Sequence, residues 1–318
     1  MADHSTGQDL TMSTQNPSVF GIMGNVGKDA ALAAVESTMQ YLIRREIPFL
    51  VEEEVLRRID TDLSRRGELW RDGSRDDVAR EADVVMTFGG DGTLLAVVQH
   101  TLRYDTPVLG VNLGKLGFLA DVGVEEVLWA IEEIMQGNHS IEHRLTLSGT
   151  MTDYPEEFFA LNDIVLAKSG SAKVISIDAF VDGAFLASFH ADGIIISTPT
   201  GSTAYSLATG GPVVVPSSDA IVISPISAHT LTARPVIVSG DSRISVCARA
   251  EEGGVMVMSD GNVLVQGKEA IDAEISRSHQ SVALIKQLGP NYFETLRRKL
   301  VWAQDGRNRS ETPTPDRA

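Results

Sequence analysis

The sharpest local chemistry lies in five consecutive residues, Gly89-Gly90-Asp91-Gly92-Thr93. Glycines let a backbone come close to a ligand and adopt conformations that other residues avoid. Amides at the start of a following helix can point at phosphate oxygens, helped by the helix dipole. A carboxylate in such a loop is awkward by charge alone. It makes sense if Asp91 holds Mg²⁺ or accepts a hydroxyl proton. The pentapeptide also reads as a tight turn with an incidental Asp-Gly pair, and it is neither a GxGxxG nor a Walker A loop.

A second constellation runs from Asp192 to Ser206, DGIIISTPTGSTAYS. A buried strand enters a hydroxyl-rich turn set by Pro199 and Gly201, and Gly210-Gly211-Pro212 extends it. Thr200, Ser202, Thr203 and Ser206 offer short hydrogen-bonding groups, and Tyr205 offers a flat face for a base. That density suits the ribose, base and phosphates of a nucleotide, or equally a polar loop satisfying its own backbone. Asn162-Asp163 could read an adenine edge and ribose hydroxyls, or serve as a turn or cap. Asp260-Gly261-Asn262 reads more strongly as a hairpin turn between two strands, and Asp182-Gly183 as a plain type I′ turn.

The elements that must position these residues fall into two textures. In the first part, short apolar runs alternate with helix-like stretches. Val19–Gly24, Pro48–Val51, Asp83–Phe88 and Pro107–Asn112 read as strands, and Asp29–Arg45, Thr93–His100 and Val124–Met135 as helices. Such alternation predicts a mostly parallel sheet covered on both faces. Near residue 140 the texture changes to strand after strand: 143–151, 160–167, 176–189, 193–197, 220–224, 244–250, 254–259 and 281–285. This predicts a second, all-β domain of sandwich type. Asn291–Gln304 reads as one terminal helix. The expected organisation is a polar tail over 1–17, an α/β domain over 18–140 and a β-sandwich over 141–290. The helix over 291–304 and a polar tail over 305–318 complete it.

Composition narrows the partners. The 318 residues carry 27 Lys and Arg against 43 Asp and Glu, a formal net charge of −16. Electrostatics therefore disfavour a nucleic-acid backbone or an anionic membrane, and any phosphate site must be built locally. The strong acidity reads as a solvated surface or the mark of a salty cytoplasm. The single cysteine, Cys247, excludes an internal disulfide framework and reads as a small buried strand residue. The seven histidines show no HExxH-like metal spacing. The uncharged run 193–218 is too rich in Gly, Pro, Ser and Thr for a membrane span, and the N-terminus is no secretory signal. A reduced, cytoplasmic protein is expected.

Taken together, the motifs resemble the NAD kinase family. The carriers are GGDGTLL at 89–95, NLGKLGFL at 112–119, ND at 162–163, DGIIISTPTGSTAYSLATGGPVV at 192–214 and LTARPVIV at 231–238. GGDGT alone is shared with diacylglycerol- and sphingosine-type lipid kinases and with the phosphofructokinase loop, and STPTGSTAY is the segment that points to NAD kinase.

The resemblance implies a doubly wound, Rossmann-like (phosphofructokinase-like) N-terminal domain, a β-sandwich and a terminal helix returning to the first domain. It implies NAD in the cleft between domains, with its adenosine 2′-hydroxyl attacking the terminal phosphoryl group of ATP. Asp91 would be the general base, and the Gly89–Thr93 backbone with a divalent ion such as Mg²⁺ would meet the phosphate charge. Some family members accept inorganic polyphosphate, and most are homodimers or homotetramers with the site close to a subunit contact. By motif position the NAD-contacting residues would be Asp91, Gly92, Phe118, Asn162, Asp163, Lys173, His190, Asp192, Thr203, Ala204, Tyr205, Ser206, Leu207, Ala208 and Asn262. A bulky His190 would favour NAD over NADH. The competing expectations are a lipid kinase and a non-catalytic nucleotide-binding regulator.

Overall fold

Three of the strands expected in the first part are buried at every position in the computed structural model: β1 (Phe20–Gly24), β4 (Val84–Gly89) and β5 (Val108–Asn112). Burial on both faces is the mark of central parallel strands. The model describes residues 17–25, 27, 29–59, 64, 66–114, 117–170, 173–287 and 292–300. Both expected tails, apart from Pro17, lie outside the described residues, as do Lys115 and Leu116 of the second motif.

Between these strands run α1 (Asp29–Arg44), β2 (Phe49–Glu52), α2 (Glu53–Leu56), β3 (Trp70–Gly73), α3 (Arg75–Glu81) and α4 (Asp91–Thr101). After β5 come β6 (Val122–Gly123) and α5 (Val127–Met135). The parallel order is β3-β2-β1-β4-β5-β6, so the chain winds outward from β1 in both directions. Helix α1 buries Val35, Met39 and Leu42 on one stripe. Helix α3 starts at a capping box in which Ser74 and Asp77 satisfy each other's backbone amides.

The second part contains β7 (His139–Met151), β8 (Tyr154–Ala160), β9 (Asp163–Lys168), β10 (Ile175–Val181), β11 (Ala184–Ala191) and β12 (Gly193–Ser197). A single short helical turn, α6 (Tyr205–Ala208), follows. Then come β13 (Ala220–Ile226), β14 (Val236–Ser239), β15 (Ile244–Arg249), β16 (Val255–Ser259), β17 (Asn262–Lys268) and β18 (Ala270–Gln287). Six of these make an antiparallel sheet in the order β14-β13-β12-β9-β16-β17. Its inner face, including Ile164, Leu166, Ile194 and Ile196, packs on Ile177, Val246 and Ile275 of the opposing layer. The expected sandwich is present.

Two joins differ from expectation. The stretch 160–167 is two strands separated by Leu161-Asn162, and 176–189 is a hairpin with Asp182 at φ 52° and Gly183 at φ 77°. The opposing layer is continuous with the parallel sheet, because β18 pairs with β5 at Leu284 and Val108 and with β7 along most of its length. Cys247 lies in β15 as expected but is only half-buried. Residues up to Leu288 form one compact unit, and the terminal helix α7 (Tyr292–Lys299) belongs to a second, Gly289–Ala318. No helix among the described residues is long and apolar enough to cross a membrane.

Candidate active site

Asp91 is the first residue of α4, directly after β4. Its carboxylate is turned away from the helix start into a run of three backbone amides. Phe118 N donates to Oδ2 at 2.9 Å, and Leu119 N and Ala120 N donate to Oδ1 at 3.1 Å each. Gly117 is a steric requirement of this clamp, since a Cβ there would overlap Asp91 Oδ1. The amide loop is seated from the other side by Lys286 of β18, which pairs with Asp121 at 2.6 Å and reaches Leu119 O at 3.4 Å. The loop aspartate is thus fixed in position, with Oδ2 accepting one amide and Oδ1 two.

Beside it is a cleft of about 480 Å³ at the carboxyl ends of β1 and β4. Gly24, Asn25 and Gly27 line one side, Gly90, Gly92 and Thr93 another, and Arg58 and Arg75 supply positive charge, with Glu54 nearby. This is the topological switch point of the parallel sheet, where open α/β folds bind ligands. Arg75 is held by the buried Glu52, Nε to Oε1 at 2.6 Å, while Glu52 also accepts from Gly24 N at 3.3 Å. Arg58, Arg75 and Glu52 carried no motif signal; only the fold brings them to the crevice.

The other motifs meet at one end of the six-stranded sheet. In register, Asp163 of β9 faces Ser197 of β12, and Ile164 faces Ser259 of β16. The hydroxyl-rich turn is stitched onto Leu161-Asn162: Thr198 Oγ1 donates to Leu161 O at 2.6 Å and Thr198 N to Asn162 O at 2.9 Å. Gly201 lies so close to Asn162 that a Cβ would overlap its carbonyl. Much of the hydroxyl density serves the loop itself. Ser202 Oγ donates to Pro199 O, and the fully buried Ser206 Oγ pairs with Ser224 Oγ at 3.1 Å. Thr203 is half-buried and Leu207 likewise, while Tyr205 and Ala208 are exposed, leaving those residues toward solvent.

Two carboxyls lie close together here, Asp163 buried and Asp260 half-buried. Asp163 is 5% exposed, and burial, reinforced by the nearby Asp260 carboxylate, pushes its pKa up to about 7. Burial also raises Asp260, opposed by the donors that its carboxylate accepts from. The expected hairpin at Asp260-Gly261 is present, with φ 48° and 80° at its two turn residues, as a type I′ turn requires.

Lys173, His190 and Asp192 lie at the opposite end of the same half. Asp192 precedes Gly193, whose register partner is Ala167, and pairs with Lys168 at 2.7 Å. His190 is exposed and bonds Ser176 Oγ at 3.2 Å, and Lys173 pairs with Glu252 at 3.1 Å. Five strand positions separate Asp192 from Ser197, roughly 16 Å at ~3.3 Å per residue. Within one chain these three do not join the cluster around Asn162 and Asp163. Asn262, exposed at the start of β17, stays with that cluster.

Comparison with known proteins decides the family. A model of the ATP-NAD kinase N-terminal domain matches residues 20–139, and one of the C-terminal domain matches residues 161–287. The NAD kinase of Geotalea daltonii is 36% identical over 288 residues, covering 90% of this chain and 99% of its own. This chain belongs to the NAD kinase family. The NAD kinase of Bacteroides fragilis is 35% identical over 290 residues, with 91% and 99% covered. Among solved structures, yeast NADH kinase complexed with NADH superposes with a TM-score of 0.82 at 26% identity, covering 94% and 91%. The Archaeoglobus fulgidus NAD kinase in complex with ATP shares the fold, with a TM-score of 0.69 at 23% identity over 89% and 98% of the two chains. The two matched family models leave residues 140–160 of this kinase between them.

Proposed function

We propose that this kinase binds its phosphoryl donor in the Arg58–Arg75 cleft and NAD against the Asn162–Tyr205 cluster, with Asp91 as general base between them. The enzyme phosphorylates NAD from ATP, and neither a lipid kinase nor a silent regulator is favoured. The observation that carries the site assignment is the Asp91 clamp. A carboxylate held by three amides beside the donor cleft, with Oδ2 accepting only one of them, is suited to receive a proton. The adenosine-ribose 2′-oxygen of NAD forms the new P–O bond to the terminal phosphorus of ATP, ADP leaves, and the 2′-hydroxyl proton passes to Asp91. Positioning and charge neutralisation dominate phosphoryl transfer, so the base supplies only about 10²–10⁴-fold. The α4 amides and the two arginines meet the charge of the donor.

A divalent ion such as Mg²⁺ fits this site only as a companion of the phosphates. No group of three His, Cys, Asp or Glu among the described residues could cage a metal. Such an ion would neutralise phosphate charge, as Mg²⁺ does where it is bound through one carboxylate and substrate phosphates. Polyphosphate is a fitting alternative donor for a cleft built from amides and arginines. The displaced Lys173, His190 and Asp192 end supports a homo-oligomer in which a second chain brings that end to the site. A single half-buried cysteine fits a reduced cytoplasm.

The test is NADP formation from NAD, ATP and Mg²⁺, coupled to an NADP-specific dehydrogenase, with polyphosphate in parallel. Asp91→Asn should retain NAD binding while turnover falls at least a hundredfold. Binding retained with turnover near wild type would reject the base.

A further inference from the structure

Asp260 is used in a way that a hairpin turn does not require. From the tip of β16–β17 its carboxylate accepts from three consecutive amides: Leu161 N at 2.9 Å, Asn162 N at 2.7 Å and Asp163 N at 3.3 Å. A fourth donor is Gln99 Nε2, at 3.3 Å from Oδ2. The Asp260 amide in turn donates to Asp163 O at 3.0 Å. Gln99 sits on α4, eight residues after Asp91, so one helix carries the loop aspartate at its start and a grip on Asp260 two turns later. Gln99 Nε2 also lies 3.5 Å from Phe159 O, to which Ser259 Oγ donates. Leu94 of α4, Leu119 of the amide loop and Leu161 are all buried in the same apolar cluster.

We propose that Asp260 is a positioning residue for phosphoryl transfer, joining the Leu161–Asp163 turn to α4 so that acceptor and Asp91 hold one register. It touches neither substrate. A half-buried carboxylate with four donors is a stiff node, because each charge-assisted bond is costly to break without replacement. The turn it holds presents Asn162, whose carbonyl also anchors Thr198. Without the node, the turn can still form part of the sheet but loses its fixed distance to the loop aspartate. An error of about 1 Å in reactant placement is enough to cost up to a hundredfold. The proposal rests on the reading above that Asn162-Asp163 faces NAD.

The test uses the full chain, with NADP formation measured while NAD and ATP are varied separately, alongside thermal unfolding and nucleotide-binding calorimetry. Gln99→Leu cuts only the tie to α4. It should lower kcat about tenfold with the KM for NAD within twofold and the melting temperature within about 2 °C. Asp260→Asn keeps an oxygen for Asn162 and Asp163 but loses the acceptor for Leu161 and for Gln99. It should raise the KM for NAD about tenfold and leave the KM for ATP unchanged. Wild-type kcat and KM in Gln99→Leu would overturn the proposal, as would an Asp260→Asn enzyme that merely melts earlier with unaltered constants. If Asp260→Asn does not fold, Gln99→Leu alone decides. Failure of the underlying site reading would show differently: an Asn162→Ala enzyme would bind NAD as the wild type does.

Discussion

Replacing Asp163 by Asn makes the buried carboxyl measurable. Asp163 is 5% exposed, and burial beside Asp260 takes its pKa from 3.8 to about 7. An acid with a folded pKa above its unfolded one holds its proton more tightly when folded. Its stabilising contribution is therefore complete below the unfolded pKa of 3.8, declines as pH rises, and is gone once pH passes about 7. At about 1.4 kcal/mol per pH unit, the window spans roughly 4 kcal/mol, of which about 2.3 kcal/mol falls between pH 5 and 7. Asparagine mimics the protonated form at every pH, so the wild-type-minus-variant difference cancels every titrating group that does not interact with Asp163 and leaves Asp163 with its coupling to Asp260. The assay is thermal unfolding of the nucleotide-free chain at pH 5, 6, 7 and 8. At roughly 2 °C per kcal/mol for a chain of this size, the variant should gain about 5 °C on the wild type between pH 5 and 7. Above that the gap should be flat. A gap constant to within about 1 °C from pH 5 to 8 would show that Asp163 is ionised throughout and refute the reasoning.

Three further outcomes are expected. Gly117→Ala places a methyl against Asp91 Oδ1, so kcat should fall more than tenfold while calorimetry shows ATP binding retained; a wild-type kcat would mean the clamp is irrelevant to turnover. Removal of divalent ions with EDTA should abolish NADP formation yet shift the melting temperature by less than about 1 °C, since no protein cage is emptied; a large shift would reveal a structural metal. His190→Gly should raise NADH turnover relative to NAD turnover, read as the ratio of the two kcat/KM values, and an unchanged ratio would remove His190 from selectivity.

The elements that carry strong periodicity were legible in the sequence. The three central strands are continuous apolar runs, and β12 begins and ends at the expected Gly193 and Ser197. What stayed hidden has physical causes. The strand β3, WRDG, is buried only at Trp70 and Gly73, so it carries no apolar run, and α3 is a polar heptapeptide defined by its cap. Strand β17 is exposed or half-exposed along its length, and the first half of β18 alternates, so neither announced itself. In the site, Asp91, Asn162 and Asp163 were visible because glycine spacing and an unusual amide–carboxyl pair mark them. Asp260 was read as a turn residue, which it is; its second use depends on an amide triplet some 100 residues earlier, at 161–163. Gln99, Arg75 and Lys286 are of the same kind, common residues whose meaning comes from what the sheet places opposite them.

The awkwardness of an acidic residue inside a phosphate loop has its answer in direction. Asp91 opens α4, where the helix dipole favours negative charge, but its carboxylate is spent on the amides of 118–120. The helix-start residues Gly90, Gly92 and Thr93 face the cleft with Arg58 and Arg75. In the proposed site, donor phosphate and carboxylate would address different sets of N–H groups, so that geometry and not distance would reduce their mutual repulsion. Asp260 repeats the device on the acceptor side, with its own amide triplet and no phosphate to repel. Both devices converge on α4, one at its first residue and one through Gln99. On the proposed assignment, a single 11-residue helix sets the spacing between Asp91 and the Leu161–Asp163 turn. This is why the motifs that matter are scattered over 170 residues of sequence, from Gly89 to Asn262, yet must be present together.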